Sequence, residues 1–116
     1  MQALYNFTVD TLFAGFLRND PVVKPQIVVL VPEQQLDSDW RFTLPQLFLW
    51  SLVLYENAGY TADPVWRDSY IEFRKLLYSN PTNTALKRHG GAVEIFAAHE
   101  DHAQTIYVLR HCVADD

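Results

Sequence analysis

The side chains best suited to hold a metal ion gather in the last third of the chain. His99-Glu100-Asp101-His102 is preceded by His89 and followed by His111-Cys112. Imidazole, thiolate and carboxylate are ordinary zinc ligands, and zinc needs three or four of them within about 2.3 Å. Residues 99–102 lie between two runs of strand-forming residues, so they read as the tip of a hairpin with His111 and Cys112 toward its open end. A strand of about ten residues spans roughly 30 Å, which keeps the two groups from sharing one ion. His99 and His102 are left as weak metal candidates with one carboxylate to help, and Glu-Asp between them is equally the chemistry of a solvated turn. Neither H-E-x-x-H nor C-x-x-C occurs.

Other reactive residue types are present without the company they need. Cys112 beside His111 offers a thiol and an imidazole, but neighbours on a strand point to opposite faces, so Cys112 reads as structural. Ser38, Ser51, Ser69 and Ser79 lie outside any G-x-S-x-G context. Lys87-Arg88-His89 followed by Gly90-Gly91 lacks the further glycines and the strand–loop–helix order of a phosphate cradle. A solvated helix end closed by two glycines explains it. Asp63, Asp68, Glu72 and Glu94 are available for acid–base work, yet spacing joins only Asp68 and Glu72, on an exposed helix face. No catalytic residues and no cofactor are expected, which points away from an enzyme.

The elements that carry these residues follow from hydrophobic spacing. Val9, Leu12, Phe13, Phe16 and Leu17 mark a helix over about 8–18, with room for a start one turn earlier, stopped by Asn19-Asp20-Pro21. Ile27-Val28-Val29-Leu30-Val31, between Pro25 and Pro32, reads as a buried central strand near 26–32. Glu33 to Asp39 reads as a loop, and Trp40-Arg41-Phe42 as a short strand or a lead into the next helix. Thr43-Leu44-Pro45-Gln46 is a capping box that opens a second helix ending near Asn57, with Gly59 beyond it. Asp63-Pro64 opens a third helix, with Val65, Trp66, Tyr70, Phe73, Leu76 and Leu77 on its core side and Asn80-Pro81 at its end. A further turn or two fits 83–89. Ala92 to Ala98 and Ala103 to Cys112 form a C-terminal β-hairpin. The order of elements is that of an α+β fold, three or more helices on a small mixed or antiparallel sheet, built as a single domain over 1–116.

Composition narrows the class. Of 116 residues 49% are hydrophobic and 14% aromatic, enough for one core of ordinary size. The net charge of −5 is spread along the chain, so direct nucleic-acid binding, which wants a basic stripe, is not expected. One cysteine excludes an intrachain disulfide. Asp10 interrupts what would be a signal-peptide core, and the densest apolar run, Leu44 to Tyr55, is well short of the roughly 20 residues a membrane span needs. A cytoplasmic protein with no membrane contact is expected.

The second helix carries more apolar surface than it can bury on one side. Leu44, Leu47, Phe48, Leu52, Leu54 and Tyr55 suffice to pack on a sheet, which leaves Leu49, Trp50 and Val53 on the other side. Either a neighbouring helix covers them or a second copy of the chain does, with Trp50 as the natural anchor of a homodimer. A second strip, Arg67, Ile71, Arg74 and Tyr78, recurs at helical spacing and mixes residue types common in interfaces. The expected function is therefore a non-catalytic interaction domain, an accessory, inhibitory or regulatory factor that binds a protein partner or itself. The competing reading is a small-ligand-binding domain or unrecognised enzyme, with an aromatic pocket among Trp40, Trp50, Trp66 and nearby tyrosines.

Overall fold

The computed structural model describes residues 1–31 and 39–112. Three abutting segments, Gln2–Phe7, Thr8–Phe13 and Ala14–Leu17, form one continuous helix, α1, whose middle segment has the wider π geometry. Its start lies further back than the apolar spacing of 8–18 requires. Thr8, at the junction, is buried, and its Oγ1 lies 2.9 Å from both the Leu4 carbonyl and Ser51 Oγ. That polar pair satisfies itself inside the core.

The segment read as a central strand is instead a helix, α2, Val23–Leu30. The reason is local. Asn19, at φ 54°, ends α1 in the left-handed region, and the amides of Asn19 and Asp20 bond back to the carbonyls of Phe16 (3.2 Å) and Gly15 (2.8 Å). Asp20 Oδ1 then accepts from the amides of Val22 (2.8 Å) and Val23 (3.0 Å), so the next helix starts within three residues. Pro25 is the third residue of α2, where a missing N–H leaves no intrahelical bond unmade. A Cβ on Gly15 would stand 2.6 Å from Val23 Cγ1, so the glycine lets the two helices touch. β-branched composition is a weak prior, and this corner overrides it. Only Ile27 of α2 is buried, while Val29 is 83% exposed. The expected end of the strand at Pro32 and most of the loop 33–39 lie outside the described residues.

The sheet's third strand comes from Trp40–Thr43, β1. It leads directly into α3, Leu44–Asn57, through the predicted capping box. Gln46 N–H bonds to Thr43 Oγ1 (3.4 Å), and Thr43 N–H to Gln46 Oε1 (3.1 Å). Gly59, at φ 95°, closes the helix, with Tyr60 N–H on the Tyr55 carbonyl and Gly59 N–H on Glu56. The third predicted helix is divided. Asp63 caps a 3-10 turn, Pro64–Asp68, and a break at Ser69 precedes α4, Tyr70–Ser79. Val65 is consequently 67% exposed rather than on the core side. A short helix α5, Thr82–Lys87, comes next.

Two strands complete the fold, β2, Gly91–Ala97, and β3, Ile106–His111, joined through a 3-10 turn at His102–Gln104. The sheet is antiparallel in the order β1-β3-β2, with Phe42 and Ile95 both opposite Tyr107. The result is an α+β fold of five helices and three strands among the described residues. Phe13, Trp40 and Phe42 meet at its centre with ring separations of 5.5–5.7 Å. The outer edge of β2 is partly occupied by a side chain: Asn83 Nδ2 donates to the Val93 carbonyl (3.0 Å), and Val93 N–H donates to Asn83 Oδ1 (2.8 Å). A register shift between Ile95 and Ala97 bends the strand just beyond it.

Candidate functional site

Two places on the surface have the shape of a binding site. The first is the outer side of α3. Its inner side buries Leu44, Leu47, Phe48, Leu52 and Leu54, as the helical spacing demands. Of the three residues expected opposite, Leu49 is 59% and Val53 44% exposed. They border a groove of about 400 Å³ that also takes in Leu52, Glu56 and Arg67. Glu56 and Arg67 approach to 3.7 Å at its rim. Trp50 behaves differently, being half-buried with its ring 6.3 Å from that of Trp40. The chain therefore covers part of the apolar surface itself, and the exposed remainder is smaller than the helical spacing implies.

The second is a cavity of about 350 Å³ between the sheet and the ends of α4 and α5. Its floor is apolar, with Phe13, Phe42 and Leu47 all buried. At its mouth stand Tyr78 and Ile95, 59% and 61% exposed. The hydroxyls of Tyr78 and Tyr107 hydrogen-bond to each other. Burial, followed by that hydrogen bond, pushes the Tyr107 phenol well above its usual range, so it keeps its proton at any physiological pH. Among the described residues no Lys, Arg or His lines the cavity. A phenol held protonated stands there as a hydrogen-bond donor.

The expected strip along the third helix is split by the break at Ser69. Arg67 lies on the 3-10 turn beside the α3 groove, and Ile71 is 49% exposed on α4. Arg74 sits over the Tyr70 ring at 5.9 Å, and its charge partly offsets the upward shift at Tyr107. Tyr78 reaches the cavity mouth. The same break places Asp68 and Glu72 on separate elements.

No tryptophan lines either place. Trp40 is fully buried in the core, Trp50 packs on it, and Trp66 lies 5.5 Å from Tyr55. The aromatic walls of the cavity are Phe and Tyr side chains drawn from α1, β1, α4 and β3, which no local spacing could have announced. His99 and His102 do lie at the hairpin tip. His99 Nδ1 accepts from Asp101 N–H (3.0 Å), and Asp101 Oδ1 accepts from Ala103 N–H (3.0 Å), so this is built turn chemistry. Among the described residues no three His, Cys, Asp or Glu side chains come together as a metal site. His111 donates from Nε2 to the Leu17 carbonyl (2.9 Å). Cys112 is exposed.

Compared with family models, curated proteins and solved structures, the chain matches none. Among the described residues no helix is long and apolar enough to cross a membrane.

Proposed function

We propose that the chain is a non-catalytic protein-interaction domain, an accessory, inhibitory or regulatory factor of the cytoplasm, that meets its partner through the outer side of α3. One observation carries this reading: Leu49 and Val53 stay 59% and 44% exposed on a helix whose other side is core. Covering a large aliphatic side chain completely is worth about 1.5–3 kcal/mol, so a partner that fits the groove gains from closing it. A second copy of the chain is the simplest partner, because a twofold dimer needs one self-complementary surface. In that arrangement the exposed Glu56–Arg67 pair supplies both signs of charge at the rim. The spread net charge of −5 favours a protein over a nucleic acid.

Sedimentation velocity at rising concentration tests this. Leu49→Glu with Val53→Glu alters only exposed positions, so helicity should stay as it is while a wild-type dimer falls to monomer. Trp50 is a poor choice for that experiment because its packing on Trp40 confounds interface with core. Were the wild type monomeric throughout, and bound to no protein of its host that the double variant fails to bind, the proposal would be wrong.

A further inference from the structure

The cavity between the sheet and the ends of α4 and α5 is separate from the outer side of α3 and has a chemistry of its own. Six apolar side chains make its floor and walls: Phe13, Phe42, Leu44, Leu47, Leu77 and Val93. Its rim is rich in polar residues, but most of their hydrogen-bonding groups are already engaged. The Asn83 carboxamide is engaged at both ends by Val93. Asn80 donates to the Leu76 carbonyl (2.8 Å), and the Thr82 hydroxyl lies 2.8 Å from Tyr5 Oη. The Tyr78–Tyr107 pair, which spans the mouth from α4 to β3, is an exception. Two phenols hold two protons, and the bond between them uses one. One O–H remains to donate.

Charge is settled by the same census. The lining holds no cation among the described residues, and its one carboxylate, Glu94, lies 3.5 Å from Arg110. An anion entering this space would lose most of its water and find one O–H but no counter-charge. Allowing about 30 Å³ for each water-sized group, a volume of about 350 Å³ takes about a dozen non-hydrogen atoms. We propose that this cavity binds a neutral, largely apolar small molecule that carries one hydrogen-bond acceptor, and that the acceptor receives the spare O–H of the Tyr78–Tyr107 pair.

Three probes of nearly equal size separate the components of this proposal: 2-acetylnaphthalene, 2-ethylnaphthalene and 2-naphthoate. Each is titrated into the full chain while the amide and methyl NMR signals of Leu44, Leu47, Leu77, Val93 and Ile95 are followed, together with those of Leu49 and Val53 on the outer side of α3. The acetyl compound should bind about fivefold more tightly than the ethyl compound, the worth of one neutral hydrogen bond. The naphthoate should bind at least about tenfold more weakly than the acetyl compound. Tyr78→Phe with Tyr107→Phe removes both hydroxyls together, which strands neither and so spares the fold. In that variant the acetyl and ethyl compounds should bind alike. Shifts confined to Leu49 and Val53, or absent altogether, would overturn the site. Naphthoate binding as tightly as the acetyl compound, or a preference for the acetyl compound that survives the double variant, would overturn the ligand class.

Discussion

α2 and α3 are both built from densely apolar runs with a proline near the start, yet they occupy opposite situations. α3 buries six of its residues, whereas α2 buries Ile27 alone and leaves Val28 and Val29 in water. What makes α3 a helix is written within it: a capping box at one end, a glycine closure at the other and apolar residues at helical spacing. What makes α2 a helix lies upstream, in the Asn19 closure, the Asp20 cap and the gap left by Gly15. Apolar content measures how much a segment can bury. Its conformation is set by where its first and last backbone groups find partners.

The comparison breaks most visibly under truncation. Leu47→Ala, at a fully buried position of α3, should cost about 2–5 kcal/mol, while Val29→Lys on α2 should stay within about 0.5 kcal/mol. Urea denaturation curves for the two variants measure the gap, and near-equal midpoints would mean that α2 is buried after all. A smaller effect is expected at the corner. Gly15→Ala should gain helix propensity yet lose about 1–3 kcal/mol, because the new methyl meets the stiff Val23 side chain. Pairing it with Val23→Ala should recover most of that loss in thermal unfolding. The smallest effect is acid sensitivity confined to α2. Bonds from the Val23 and Val22 amides hold the Asp20 carboxyl below its ordinary value of 3.8. A depressed carboxylate adds stability that is fully present above the unfolded value and disappears as pH falls through the folded one. Amide protection factors in α2 should therefore fall below about pH 4 before those in α3 do, and Asp20→Asn should remove that difference.

Legibility followed the same division. α3 with both its ends, the start of the third helix at Asp63 and the C-terminal hairpin were readable because each is fixed by residues a few positions apart. The strand assigned to Ile27–Val31 failed because five β-branched or aliphatic residues in a row fit either conformation, and the deciding groups stand at Gly15, Asn19 and Asp20. Ser69 divides the third helix without a proline or glycine to announce it. The outer residues of α3 were visible from spacing, although the burial of Trp50 against Trp40 was not, since it depends on β1 lying beneath the helix. The cavity was the least legible part. Phe13, Phe42, Tyr78 and Tyr107 are scattered over most of the chain, and of the four only Tyr78 belongs to a strip whose spacing suggests contact with a partner.

The Asn83 carboxamide has a consequence for how the molecule keeps company with its own kind. An outer strand with Ile95 and Phe96 half or more exposed is the sort of border along which chains zip together into growing ribbons. By taking both main-chain groups of Val93, one side chain removes a rung that an incoming chain would have to use, and the irregularity after Ile95 spoils the next. A single amide thus occupies, at Val93, the main-chain groups on which another chain would have to begin.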